Sequence, residues 1–339
     1  MKFKLGGFAN PKEKLSVGLD IGSGSIKSVQ LRFRQSGVEL CEFGLTEIPA
    51  DTGRAVAGFT QPRNIKLANI SVSGPSTLIR YVNFPKMDPS ELQQALKFEA
   101  QKHIPFPVDE VNLDGYILKP DLPGNLMLVL LAAVKNDLIS GRLKLMEEAG
   151  VKPNLIDIDS VALINAYNFN YPVENSGGHR VVALVNIGAS MANLNILEDG
   201  IPRLSRDIHT GGAVFTQKLA DIFAVDLAAA EKLKLSPEGE NRDKVRAAME
   251  PMLANLGQEI RTSFDFYESQ SAVSVGKILV SGGSSYFSGL KDMLSASTGI
   301  AVEDWDPFNK ISLAGGVDAA ALKKVSSQLA VAVGLALRQ

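Results

Sequence analysis

VGLDIGSGSIKSVQLRF, residues 17–33, decides how the chain is read. An apolar run ends at Asp20. Gly22 and Gly24 then make a turn with Ser23 and Ser25, and apolar alternation resumes through Ile26, Val29, Leu31 and Phe33. A dinucleotide-binding fingerprint or a P-loop needs a helix directly after its glycines. Alternation at period two is a strand signal, so this turn closes a hairpin instead. Backbone N–H groups in such a turn can form an anion-binding nest, to which the Ser23 and Ser25 hydroxyls and the Lys27 ammonium add donors. Asp20 aims a carboxylate at the same place, where it suits the water shell of a magnesium ion. Taken alone, the turn is equally an ordinary Gly-Ser hairpin that binds nothing.

The pattern recurs. The chain restarts at His179, and VVALVNIGASMANLNIL (181–197) repeats apolar strand, glycine turn, apolar strand around Asn186, Gly188, Ala189 and Ser190. IPRLSRDI adds a third strand and GGAVFTQKLADIF a helix, as in a block of strands followed by helices. This is an internal duplication at the level of domains. Two phosphate-type hairpins, one per half, would clamp a polyphosphate between them. A third glycine element, Ser281-Gly282-Gly283-Ser284, lies between a strand and a helix. Its glycines admit a flat base against the backbone, or make a plain strand-to-helix turn.

Between these landmarks, residues 38–48 and KLANISVSGP (66–75) read as strands. Residues 50–63 are weakly patterned. Residues 88–103 form a helix with Asp88 as N-cap, Pro89 at its first position and Glu91 completing a capping box, stopped by IPFP (104–107). Strands follow at 111–118 and 126–134, then a helix capped by Asn136 and ended at Gly150. LIDID is a strand and SVALINAYNF a helix. Residues 226–235 are a short helix. A long one places Val245, Met249, Leu253, Leu256, Ile260, Phe264 and Tyr267 on one face, and Pro251 is expected to kink or restart it. VSSQLAVAVGLALR (325–338) is a small-residue helix whose Gly334 allows close packing.

Composition narrows the function. Over 339 residues, 35 Lys and Arg against 37 Asp and Glu give a net charge of -2, which excludes the basic field of a general nucleic-acid binder. Hydrophobic residues at 45% and charged residues at 21% are globular, and the length suits about two domains. Cys41 is the single cysteine, so no internal disulfide forms, and His103, His179 and His209 lack ligand spacing. A reducing cytoplasm is expected. The longest apolar run, LMLVLLAAV (126–134), is nine residues, against about 20 for a spanning helix. The N-terminus has lysines but no apolar stretch of signal-peptide length. Any membrane role is therefore expected to be peripheral or through a partner.

These features resemble the actin-like ATPase superfamily, which includes actin, sugar kinases, large heat-shock chaperones and FtsA, and within it the PilM family of type IV pilus assembly. The resemblance covers the chain from about Val17. Its most specific stretch is EAQKHIPFPVDEV (99–111), inside PKMDPSELQQALKFEAQKHIPFPVDEVNLDGYIL; SRDIHTGGAVFTQKLA, AEKLK, EIRTSFDFYESQ and DWDPFNKI also fit. It implies an α/β fold of two duplicated actin-like (ribonuclease H-like) domains with an inserted small α+β subdomain of FtsA/PilM type. The expected division is a flexible 1–14, a first lobe of 15–82 and 151–178, an insert of 83–150, and a second lobe of 179–339.

The resemblance further implies ATP and Mg2+. Asp20, Gly22, Ser23, Ser25 and Lys27 would face the β- and γ-phosphates, with Asp20 holding the metal through water. Gly188, Ala189 and Ser190 would face the phosphates from the other side. Gly211 and Gly212 would lie near ribose and phosphates, Glu231 and Lys234 would contact the adenosine, and Gly282 and Gly283 would sit against the adenine. For Glu231 and Lys234 a solvated helix face is the competing reading. Asp157 and Asp159 would come nearest the metal or an attacking water, although the sequence favours them as strand-end carboxylates capping the next helix. Asn186 departs from the usual aspartate, which removes one anionic partner of the metal and implies ATP binding with weak or no hydrolysis. Residues 50–63 are expected to lack the helix that the family carries.

The implied partner is the N-terminal cytoplasmic tail of a PilN-like single-span membrane protein, held beside the insert near Leu78, Ile79, Val82, Phe84, Ile104 and Phe106. Core packing is the competing reading for each of these. PilO-like protein and the pilus motor ATPase would be indirect partners, and a homo-oligomer is possible. The implied role is a cytoplasmic ATP-binding scaffold, peripheral on the inner face of the inner membrane, that couples nucleotide state to assembly. The alternatives are an FtsA-like filament former, the counterpart in a related secretion system, and a small-molecule kinase. The small-residue final helix counts against the first, and Asn186 against the last.

Overall fold

The computed structural model describes residues 14–48, 52–173 and 180–339. All of the expected lead-in except Lys14, and also His179, lie outside the described residues. The first block opens with Lys14–Ile21 (β1), Ser25–Arg34 (β2) and Gly37–Glu47 (β3), then Thr52–Thr60 (α1) and Leu67–Val72 (β4). Thr77–Pro85 (β5), Pro89–Ala100 (α2), Val111–Leu122 (β6) and Leu126–Lys135 (β7) follow. Asn136–Glu148 (α3), Lys152–Ile158 (β8) and Asp159–Asn170 (α4) complete the block. The second block is Val181–Ile187 (β9), Ala192–Glu198 (β10), Ile201–Ile208 (β11), Gly212–Phe223 (α5), Leu227–Leu235 (α6), Asn241–Gln270 (α7), Lys277–Ser281 (β12), Leu290–Thr298 (α8) and Val302–Asp304 (β13). The chain ends with Ile311–Leu313 (β14), Ala319–Val325 (α9) and Ala330–Ala336 (α10).

The duplication is visible in the sheets. One sheet runs β14-β3-β2-β1-β4-β8 and the other β11-β10-β9-β12-β13. In each, an antiparallel trio is followed by parallel strands, and the first hairpin occupies the same place. Between the sheets lies a shared apolar layer. Ala162, Leu163 and Ala166 of α4 and Val331, Val333 and Leu335 of α10 meet Val29 and Leu31 from one sheet and Val182, Leu184 and Leu279 from the other. The small residues of α10 are what permit this closeness. A Cβ on Gly334 would fall 1.8 Å from the Ala162 carbonyl oxygen, and one on Gly18 of β1 would fall 2.0 Å from the Ala332 oxygen.

A third sheet, β5-β7-β6, is antiparallel and forms the insert. The capping box of α2 is formed: the Asp88 side chain accepts from Ser90 and Glu91 N–H, and Glu91 accepts from the Asp88 N–H. Leu92 and Leu96 of α2 are buried on the sheet, where Gly115 leaves space; a Cβ there would lie 2.8 Å from a Leu96 methyl. The small sheet takes in Thr77–Pro85, and α3 buries Met146 and packs it with Leu19, Ile21 and Ile26 of the first lobe. The late strand β14 likewise pairs with β3 of the first lobe.

Three local expectations are corrected. Residues 52–60 are helical, because Val56, Phe59 and Thr60 fall on one face and bury against Leu19, Ile70 and Met146, so packing overrides weak propensity. Asn136 does not cap α3 through its side chain; its amide instead donates to the Asp109 carbonyl and its Oδ1 accepts from Asn112. Helix α7 does not restart at Pro251, which is exposed inside a continuous helix.

Candidate functional site

In the first hairpin Ile21 pairs with Ile26, leaving Gly22 to Ser25 as the loop, closed by the Gly22 N–H donating to the Ser25 carbonyl at 3.1 Å. In the second, Ile187 pairs with Ala192, leaving Gly188 to Met191, closed by the Gly188 N–H donating to the Met191 carbonyl at 2.9 Å. The two loops therefore have the same length and the same closing bond. They also meet. Ser23 Oγ donates to Ser190 Oγ at 3.0 Å, and a Cβ on Gly24 would lie 2.8 Å from that of Ala189. Among the described residues, the N–H groups of Ser23, Gly24, Ala189 and Ser190 make no hydrogen bond. With the Ser23 and Ser190 hydroxyls and the Lys27 ammonium, this donor set fits a polyphosphate.

The strands below the loops carry different chemistry. Asp20 and Lys27 are cross-strand partners and form a largely buried ion pair at 3.0 Å. Their counterparts in the second lobe are Asn186 and Asn193. Asn186 Nδ2 donates to Asn193 Oδ1 at 3.3 Å, and Asn193 Nδ2 donates to Asp207 at 2.6 Å. Ser281 Oγ donates to Asn186 Oδ1 at 3.2 Å. An amide network that ends on the Asp207 carboxylate thus stands where the first lobe has a salt bridge.

Gly211 and Gly212 sit directly on the second loop. Gly212 N–H donates to the Gly188 carbonyl at 2.9 Å and Ala213 N–H to that of Ala189 at 2.8 Å, so the start of α5 is pinned to the loop. A Cβ on Gly211 would lie 2.6 Å from the Ala189 oxygen, and one on Gly212 would lie 2.3 Å from Ser284 Oγ. Lys234 is 2% exposed, which overturns the solvated-face reading for it. Its ammonium donates to Glu231 at 2.7 Å, Thr216 Oγ1 at 2.9 Å and the Gly212 carbonyl at 3.3 Å, and Thr216 also bonds Glu231. Gly282 takes φ of 90° and a Cβ there would meet the Ile187 oxygen at 2.4 Å; Gly283 faces Gln328.

Asp157 and Asp159 are not helix caps, since α4 has no side-chain cap. Asp157 is buried, pairs with Arg338 at 3.3 Å, and is raised in pKa by that burial. Asp159 is pushed up to about 6 by burial and by the neighbouring Asp20, against hydrogen bonds with Ser71 and Ser73 and the charge of Arg142. Burial lowers Arg142 itself, opposed by Asp159 and Asp20. Sequence reading missed Ser71, Ser73, Arg142 and Asn193. The first three come from elements remote in sequence, but Asn193 was in view, aligned with Lys27 across the repeat.

Of the residues named for a partner, Phe84, Ile79 and Ile104 are buried in the insert or beneath it, with Phe84 at 1%, so their side chains offer no docking surface. Leu78, Val82 and Phe106 are partly buried. A cavity of about 480 Å³ lies at the opposite end of β1, lined by Lys14, Ser16, Asn69 and Arg338. It is remote from the loops, and ligands in sheets of this kind sit beyond the C-terminal strand ends.

The family described as Type IV pilus assembly protein PilM matches residues 18–339. Among solved structures, a PilM-PilN type IV pilus biogenesis complex is similar over 95% of this chain and 98% of its own, at 26% identity and a TM-score of 0.83. The ethanolamine utilization protein EutJ from Carboxydothermus hydrogenoformans is similar over 98% and 91%, at 15% identity and a TM-score of 0.58, a likeness of fold alone.

Proposed function

The chain belongs to the type IV pilus assembly protein PilM family, and from that premise we propose that it is an ATP-binding scaffold that holds the cytoplasmic tail of a PilN-type membrane protein. Among the described residues no helix is long and apolar enough to cross a membrane; the place we propose is peripheral, on the inner face of the inner membrane. One observation carries the nucleotide part: two equivalent loops, one from each duplicated actin-like lobe, meet at Ser23 and Ser190, and among the described residues the N–H groups of Ser23, Gly24, Ala189 and Ser190 are uncommitted.

The loop N–H groups, Ser23, Ser25, Ser190 and Lys27 would bind the phosphates, and Asp20 would hold Mg2+ through water. The metal would supply charge neutralisation across the phosphates. Gly211, Gly212, Gly282 and Gly283 would line the nucleoside side, where their lack of side chains lets the start of α5 and the turn after β12 pack closely on the second loop and its strand. Lys234 has its ammonium donors committed within the protein, so it positions Glu231 and Thr216 and does not reach for the ligand. With Asn186 held by amide and hydroxyl partners, the second lobe offers no carboxylate at that position, which supports binding with weak or no hydrolysis.

Coupling to the partner has a physical route. The insert touches the second lobe where Tyr81 and Ser205 bond at 2.7 Å, and Ser205 donates to Asn195 of β10 at 2.6 Å. It is continuous with the first lobe where β7 runs directly into α3. A ligand that moves one lobe against the other therefore bears on the sheet that carries Leu78 and Val82. The test is the affinity of the tail peptide with and without Mg-ATP. A several-fold difference is expected; equal affinities would remove the coupling.

A further inference from the structure

Arg142 has no role in any reading above, yet its setting is unusual. It lies on α3, and its Nη1 donates to the carbonyl of Ile21, the residue immediately before the first loop, at 3.2 Å. Among the described residues this is the one hydrogen bond the side chain makes, and no carboxylate lies within ion-pair distance. A guanidinium carries five donors, so most are uncommitted. The group is half-buried, and the charges of Asp159 and Asp20 act on it. A partly desolvated cation with unused donors is costly unless an anion completes it.

The position narrows which anion. Arg142 approaches from the first lobe, on the β1 side of the loop. The glycines that the proposed function sets at the nucleoside, Gly211, Gly212 and Gly282, belong to the second lobe. A ligand spanning the two reaches Arg142 with the end remote from its base. A planar guanidinium suits phosphate oxygens in bidentate geometry. We propose that Arg142 contacts the terminal phosphate of a bound nucleoside triphosphate and so makes the site discriminate tri- from diphosphate. This deepens the nucleotide reading and rests on it. It also gives α3 a role: that helix packs in the first lobe yet follows the central strand of the insert without a break, so the group that reads the last phosphate is tied directly to the partner-binding module.

The competing role is structural neutralisation of Asp20 and Asp159. Titration calorimetry separates the two, using the full chain and its Arg142→Gln and Arg142→Lys variants with Mg-ATP and with Mg-ADP. Arg142→Gln is expected to weaken ATP by on the order of 10- to 100-fold, the loss of one charge-assisted contact, while ADP changes less than about twofold. Arg142→Lys keeps the charge but loses the fork, and is expected to retain part of the preference. Equal weakening of ATP and ADP, or no change in either, overturns the role of Arg142. Should Arg142→Gln fail to fold, the ratio measured on Arg142→Lys decides: an unaltered preference overturns the proposal. If the parent protein binds neither nucleotide, the nucleotide reading itself falls, an outcome distinct from an unaltered ratio.

Discussion

At the scale of single residues, the two halves of the repeat have diverged where it matters. Asn186 cannot simply be returned to aspartate. Asn193 Oδ1 accepts from its amide, while Asn193 Nδ2 is committed to Asp207, so a carboxylate at 186 would face an acceptor. Asn186→Asp is expected to lower stability by about 1–3 kcal/mol in urea unfolding, without raising Mg2+ affinity. Asp159 offers a second test. The folded protein holds its proton more tightly than the unfolded chain, whose carboxyl titrates near pH 4. The stability this contributes is complete below that pH and is lost as pH rises through about 6. In chelator-containing buffer, Asp159→Asn should therefore raise stability at pH 7 by on the order of 1–2 kcal/mol and change little at pH 4. Thermal unfolding from pH 4 to 8 reads both. Much of the candidate site was legible from spacing alone, because a turn fixes its own neighbours: Asp20, Lys27 and both loops are local. Ser71, Ser73 and Arg142 were not, since they come to Asp159 and to the Ile21 carbonyl from elements far off in sequence.

At the scale of elements, strong local signals survived and weak ones were decided by packing. The capping box at Asp88 and Glu91 was readable because its bonds close within four residues. Residues 52–60 were not readable as helix, because the reason they fold lies in Leu19, Ile70 and Met146. The closeness of α2 to its sheet depends on Gly115. Gly115→Val would drive a branched side chain into Leu92 and Leu96, at a cost of about 1–3 kcal/mol. The expected outcome is earlier unfolding of the insert than of the lobes, seen as faster amide exchange in α2 and β6 under native conditions.

At the scale of the whole molecule, the duplication was visible in sequence because each half repeats one strand–turn–strand signal. The exchange of β14, α9 and α10 back onto the first lobe was not, because no local pattern marks a destination. The insert and second lobe are joined by Tyr81. Its hydroxyl, raised in pKa by burial, bonds Ser205. Tyr81→Phe keeps the ring and deletes that bond, and should lower stability by about 1 kcal/mol while reducing the dependence of tail-peptide affinity on Mg-ATP. Gly334→Ala is expected to be far more damaging, on the order of 3 kcal/mol or failure to accumulate as soluble protein, because the methyl meets the Ala162 backbone.

That same contact sets an order of events during synthesis. Strands β1 and β2 leave the ribosome long before α10, the helix that covers Gly18. The first lobe must wait, half-finished and with an apolar face bare, until α10 has emerged. A chain stopped short of residue 330 would strand the lobe it had made earliest, and a holding chaperone would find its target there.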